Sequence, residues 1–348
     1  MMFAWLDALL AQADAAVLIT VAWAEGSVPR EAGAKMLVTR DGAFDTIGGG
    51  HLEQEAIIHA RALLAGEGSL PRLRRFALGP TLGQCCGGAV SLAFDCIDDA
   101  ARAAYRLLAQ RLQHGHGGIR ASRVDETCAS CLLDDAGVPL AGAAFPGLPI
   151  QAGIPANAGT CLHQPADGSR WLIDAIAPPR AHLMLFGAGH VGAAIVNAMA
   201  GLPCRITWVD ERDDIFPATI PANVRVEATD TPEALIDAAP PGTSFLVMTH
   251  SHPLDQQLSH RILLRSDFAW FGLIGSRTKR IQFERRLRER GIADAQLARM
   301  TCPIGLPGIA GKQPAVIAVA VAAQLLQTWE RQASISPHLS AAQGQQRA

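Results

Sequence analysis

Two adjacent cysteines, Cys85 and Cys86, stand between Gly83 and Gly87-Gly88. A cysteine on a glycine-rich turn is accessible rather than packed. Its thiolate is a soft ligand for a metal or an acceptor for sulfur. The competing reading is a pair of buried small residues, because free cysteine is often buried.

A second stretch with chemistry in it is Gly187-Ala188-Gly189-His190-Val191-Gly192. An apolar run, Leu183 to Phe186, precedes it and a helical run follows. The next apolar run, Arg205 to Val209, ends on Asp210, 23 residues after Gly187. Strand, glycine turn, helix, strand and acid is the context of a dinucleotide fingerprint, whose acid is expected about 20 residues on. Gly187 permits the tight turn, Gly189 lets a phosphate approach the backbone, and Gly192 lets the helix pack on the strand. Unpaired amides at the helix start, with the positive end of the macrodipole, favour an anion. Asp210 suits a ribose diol. The opposing reading is a parallel-sheet turn that binds nothing, since a fold alone establishes no ligand.

Smaller groups add to these. Gly48-Gly49-Gly50-His51 precedes a helix, either as a plain turn or as a second loop with amides facing a ligand. Thr249-His250-Ser251-His252 follows a strand, where ligands of open α/β sheets sit. Ser276, Arg277 and Lys279 combine hydroxyl and cations at a helix start, a mixture suited to phosphate. Cys128-x-x-Cys131 and His114-x-His116 resemble half-sites for metal, but neither has the further ligands a metal centre needs. Both are read as structural or solvated.

Periodicity supplies the elements that hold these groups. Helices are expected over 4–13, 52–64, 99–113, 254–264 and 280–290, with a final apolar one opening at Pro314. Strands are expected over 16–23, 35–39, 72–78, 89–94, 183–186, 205–209, 242–248 and 271–274. Short strand-like runs fill 119–176, and Pro178-Pro179 marks a boundary. The fold class is α/β: a C-terminal Rossmann-like, doubly wound parallel sheet and an N-terminal α+β domain. The domains run 1–178, with a β-rich segment at about 119–176, and 179–333; residues 334–348 form a flexible tail.

Composition narrows the classes. The formal net charge of −2 points to neither nucleic acid nor a membrane surface as bulk partner. The first residues lack the cationic region of a secretory signal. The uncharged run Pro314 to Leu326 is too short to span a bilayer. A cytoplasmic protein is expected, and its eight cysteines then imply no disulfide framework.

Taken together the motifs resemble the XdhC/CoxI family, the maturation factors of xanthine dehydrogenase and related molybdenum hydroxylases. The resemblance is carried by six blocks between about residue 4 and residue 330. They are Gly26 to Arg30 with Gly33 to Val38, Ile47 to Glu53, Leu82 to Gly88, Phe186 to Gly192, Thr249 to His252 with Leu273 to Lys279, and Cys302 to Leu306. One departure stands out: Gly311-Lys312-Gln313-Pro314-Ala315 replaces the acidic helix start expected there.

The resemblance implies a chaperone rather than an enzyme, with no catalytic residues. Its cargo would be molybdenum cofactor (molybdopterin), which it binds, protects, helps to sulfurate and inserts into apo xanthine dehydrogenase. The implied cofactor-binding residues are Gly48, Gly49, Gly50, His51, Gln84, Cys85, Cys86, Gly187, Gly189, His190, Gly192, Asp210, His250, His252, Ser276, Arg277 and Lys279. Cys85 and Cys86 would approach the molybdenum. The implied partners are the molybdenum-binding subunit of xanthine dehydrogenase and a cysteine desulfurase that supplies sulfur. A homo-oligomer is the default assembly. Two other readings stay open: an NAD-dependent oxidoreductase resting on Gly187 to Asp210, and a module that binds a regulatory nucleotide.

Overall fold

Leu183, Met184, Leu185 and Phe186 are all buried, as a strand covered on both faces requires. They belong to the second of two compact units, residues 1–178 and 179–348. The computed structural model describes residues 3–12, 14–67, 70–78, 87–125, 129–142, 159–165, 168–179 and 181–344, the last twelve as backbone only. Gln84, Cys85, Cys86 and Cys128 lie outside the described residues.

The first unit is α+β. It opens with α1 (Ala4–Ala11), β1 (Ala16–Glu25), β2 (Lys35–Thr39), β3 (Ala43–Asp45) and α2 (Gly50–Ala65), then β4 (Leu73–Ala77), β5 (Ala89–Ile97) and α3 (Asp99–Gln113). The strands form an antiparallel sheet ordered β3-β2-β1-β5-β4. Its edge strand β4 carries Arg74 and Arg75, cations that discourage further strand pairing. The β-rich segment is a second antiparallel sheet, ordered β8-β7-β6-β10-β9. Its strands are β6 (Gly118–Arg123), β7 (Ser130–Leu133), β8 (Pro139–Gly142), β9 (Thr160–His163) and β10 (Trp171–Ile176).

Buried charge joins the two sheets. Lys35 Nζ on β2 donates to Asp174 Oδ1 on β10 at 2.9 Å, and Thr160 Oγ1 donates to the same oxygen. Arg120 donates to Asp95 and to the Tyr105 hydroxyl. Removing one member of such a buried pair leaves the other uncompensated, so these residues fix how the sheets pack.

The second unit is a parallel sheet with helices on both faces. It runs β11 (Ala181–Phe186), α4 (His190–Ala198), β12 (Cys204–Asp210), β13 (Val224–Ala228), α5 (Pro232–Ala238), β14 (Ser244–Val247) and α6 (His252–Leu264). It continues with β15 (Trp270–Leu273), α7 (Arg277–Glu289), α8 (Asp294–Leu297), β16 (Met300–Thr301) and α9 (Pro314–Gly344). The strand order is β13-β12-β11-β14-β15-β16. Alternation divides the core: Met184 and Phe186 pack with α6 and α7, while Leu183 and Leu185 pack with α4 and α9. Successive strands are laid outward from β11 to either side, so the order reverses between β11 and β14. The crevice beyond the carboxyl ends of these two strands is the ligand position of such sheets. No helix among the described residues is long and apolar enough to cross a membrane.

Candidate functional site at the carboxyl edge of the parallel sheet

The turn from β11 into α4 is held by three successive residues of β12. Gly187 N donates to the Val209 carbonyl at 2.8 Å. Trp208 Nε1 donates to the Gly187 carbonyl at 3.1 Å. Ala188 N donates to Asp210 Oδ2 at 2.7 Å. Two of the glycines are sterically required. Gly187 has φ +117°, and a Cβ there would lie 2.4 Å from the Met248 carbonyl; at Gly192 it would lie 2.2 Å from the Gly187 carbonyl. Gly189 is different: nothing lies within 4 Å of where its Cβ would stand. No side chain caps α4 at this residue, so the first-turn amides have an open approach. His190 beside it is exposed.

Asp210 stands at the expected end of β12, but its acceptor capacity is taken. Oδ1 accepts from Arg212 N and Nε, and Oδ2 accepts from Ala188 N and Arg212 Nη2. A carboxylate offers about four lone-pair positions. A ribose diol would have to displace Arg212, whose side chain is 44% exposed. Burial alone would raise the Asp210 carboxyl, but the bonds from Arg212 and the Ala188 amide outweigh it and hold it below its ordinary pKa.

The turn after β14 is built on a second inward carboxylate. Asp255 is fully buried, and its Oδ1 accepts from Thr249 N at 3.0 Å and Thr249 Oγ1 at 2.8 Å. Its Oδ2 accepts from Lys279 Nζ at 2.8 Å, and Lys279 also donates to the Ile274 carbonyl. The cation expected to face a phosphate is thus turned inward, where it clamps the loops after β14 and β15 together. Ser276 caps α7, its Oγ accepting from Lys279 N, and Arg277 is exposed. His250 and His252 are both exposed, and the His252 ring lies edge-on to Phe283. Phe186, Val209, Asp210, Thr249, His250 and Leu258 line a crevice of about 10 Å³, room for one water and too small for a ring.

The glycine triplet of the first unit follows the same pattern. Gly48, Gly49 and Gly50 all have positive φ. Glu53 folds back from the first turn of α2, and its Oε2 accepts from Thr46 Oγ1, Ile47 N and Gly49 N. The carboxylate thus takes the backbone amide of the N-cap residue Gly49 from within the first turn of the helix. It occupies two amides, of Ile47 and Gly49, that would otherwise be open to a ligand; His51 stays exposed.

Glu53, Trp208, Arg212 and Asp255 are structural residues to which pattern reading gave no part in the site, whereas Thr249 already stood in the motif after the strand. Glu53 had a signal, an acid in the first turn after a glycine cluster. The others become meaningful only when the strands lie side by side. Cys302, from the final motif, is buried behind the clamp, and burial pushes its thiol up to about 11 despite nearby Lys279 and Arg280. Among the described residues no three His, Cys, Asp or Glu side chains gather as a metal site.

Comparison with known proteins agrees with this architecture. Residues 183–325 match the XdhC Rossmann domain, and residues 9–77 match the XdhC and CoxI family. The chain is 25% identical over 342 residues to a protein of Bacillus subtilis (strain 168) named as a probable xanthine dehydrogenase component, covering 95% of this chain and 98% of that one. It is 32% identical over 149 residues to the uncharacterized protein YqeB of Escherichia coli (strain K12), a match spanning 42% of this chain and 27% of that protein. A crystal structure described as a xanthine dehydrogenase from Bacillus halodurans shares the fold, with TM-score 0.75 at 23% identity over 94% of this chain and 95% of that one. Matched in both its first unit and its parallel sheet, the chain belongs to the XdhC/CoxI family.

Proposed function

We propose that this chain is a maturation factor for xanthine dehydrogenase that carries molybdenum cofactor. It binds the molybdopterin, protects it, supports its sulfuration and passes it to the apo-enzyme. Family membership supports the maturation role. The observation that carries the binding role is the open approach at Gly189, where uncapped amides of α4 meet no side chain. The phosphate end of the cofactor takes those amides. His190, His250 and Arg277, all exposed beyond the strand ends, supply further donors. Cys85 or Cys86 serves the molybdenum as a soft ligand or accepts sulfur.

The partners in this reading are the molybdenum-binding subunit of xanthine dehydrogenase and a cysteine desulfurase. The protein acts as a cytoplasmic homo-oligomer and catalyses no metabolic step. The test is to purify the chain and measure bound molybdenum and fluorescent pterin. Gly189→Val and the Cys85→Ala, Cys86→Ala double variant should each lower the cofactor content. Unchanged stoichiometry together with unchanged activation of apo-enzyme would sink the assignment.

The second reading is a nicotinamide-dependent oxidoreductase, favoured by the spacing of Gly187 and Asp210. The four donors already on Asp210 weigh against it. Titration with NADH separates the two: tight binding with turnover, and no affinity for pterin, would select the oxidoreductase.

A further inference from the structure

Helix α7 carries its charge in an arrangement that does not serve its own stability. Between Arg277 and Glu289 it has six basic and two acidic side chains, a net of +4 in a chain whose formal net charge is −2. Arg277, Lys279 and Arg280 crowd its first turn and no acid is present there. Cations at a helix N-terminus oppose the macrodipole, where carboxylates would stabilise.

The inner side of the helix accounts for part of this charge. Phe283 and Leu287 are buried in the core, Lys279 binds Asp255, and Arg280 binds Glu284 and the Cys302 carbonyl. The outer side is not accounted for. Arg277, Ile281 and Arg285 follow at intervals of four, in one line along the helix. Ile281 is 67% exposed. Arg286 is exposed on the flank of this line, further round the helix from Ile281, and Arg290 follows at the helix end. Among the described residues Arg277, Arg286 and Arg290 have no carboxylate partner, and Arg285 has only a loose, exposed contact to Glu289 at 3.9 Å.

A rigid helix with an exposed isoleucine between arginines has the composition of a protein-binding surface, where arginine and large apolar anchors are enriched. Phosphates of a nucleic acid would satisfy the arginines and leave Ile281 in water. We propose that the outer face of α7 docks an acidic patch with an apolar centre on a partner protein. Resting on the maturation reading, that partner is the apo-hydroxylase. Charge complementarity steers the encounter, and Ile281 supplies the desolvated anchor.

The test uses the full chain and molybdenum-free xanthine dehydrogenase, with binding followed by surface plasmon resonance at low and physiological ionic strength. The Arg285→Glu, Arg286→Glu double variant, which leaves the cofactor donor Arg277 in place, should slow association by about tenfold or more and flatten the salt dependence. Ile281→Ser should speed dissociation by about tenfold. An unchanged thermal midpoint shows that α7 is still folded, and the single Arg285→Gln variant serves if the double one is not. Wild-type binding that all the variants retain overturns the docking face and leaves the maturation role intact. So does activation of the apo-enzyme without any direct binding. Arginine-dependent binding to duplex DNA or phosphatidylglycerol vesicles, and not to apo-enzyme, also overturns it. Neither binding nor activation removes the maturation reading, and the docking face with it.

Discussion

Lys279 Nζ lies 2.8 Å from Asp255 Oδ2, and this one ion pair joins the loops that follow two neighbouring strands. Asp255 is fully buried and the Lys279 side chain only 15% exposed, so each charge depends on the other. Lys279→Met should cost about 3–5 kcal/mol, because it strands a buried carboxylate that also holds the Thr249 turn. Adding Asp255→Asn to it should recover part of that loss, which a double-mutant cycle by urea denaturation would measure. Strict additivity of the two variants would show that the pair is not coupled.

Two glycines of the β11–α4 turn should separate by role. Gly192→Ala places a methyl 2.2 Å from the Gly187 carbonyl and should destabilise by about 1–3 kcal/mol. Gly189→Ala meets open space at φ −71° and should stay within about 0.5 kcal/mol of wild type. Chemical denaturation ranks them. Equal losses at both positions would contradict the geometry.

Acid should weaken the parallel-sheet unit through His182. Its two ring nitrogens sit beside the Thr207 and Thr243 hydroxyls, and burial, aided by Arg205, lowers its pKa to about 4. The unfolded chain takes up a proton below about 6.5 while the folded one stays neutral. Stability is therefore complete above about pH 6.5 and falls as the pH drops towards 4, by up to about 3 kcal/mol. His59, lowered mainly by burial, acts in the same direction in the first unit. Unfolding midpoints of His182→Gln between about pH 7 and 5 should show a flatter slope than wild type; an identical slope rejects the assignment.

Cys204 and Cys302 are buried thiols that burial pushes up to about 11. At neutral pH they should resist iodoacetamide until the chain unfolds, because the thiolate is the reactive form. If Cys85 or Cys86 is the accessible thiol of the proposed function, peptide mapping should find the first label there. Early labelling of Cys204 or Cys302 would contradict their burial.

The parts legible in the chain were those written in neighbouring residues. The run Leu183 to Phe186, the glycines after it and the strand ending on Asp210 are local signals, and each was found as an element of the parallel sheet. The short edge strand Val224–Ala228 and the seven-residue helix after it were not expected. An edge strand with alternate exposure carries too little apolar pattern, although Pro232 at the helix start was a usable mark.

What the sequence determined by itself is therefore the order of the main elements, the fold class and the family, since periodicity, turn chemistry and motif order need no third dimension. What only the tertiary structure decided is where the charges point. Asp210 reaches back 22 residues to the Ala188 amide, and Lys279 reaches back 24 residues to Asp255. Both distances close because β12 and β14 flank β11, and β15 flanks β14, in one parallel sheet. Read along the chain, these side chains look free for a ligand. In the fold, the low dielectric around them makes an internal partner more favourable than an unpaired charge. The approach left open lies at Gly189, where no side chain intrudes.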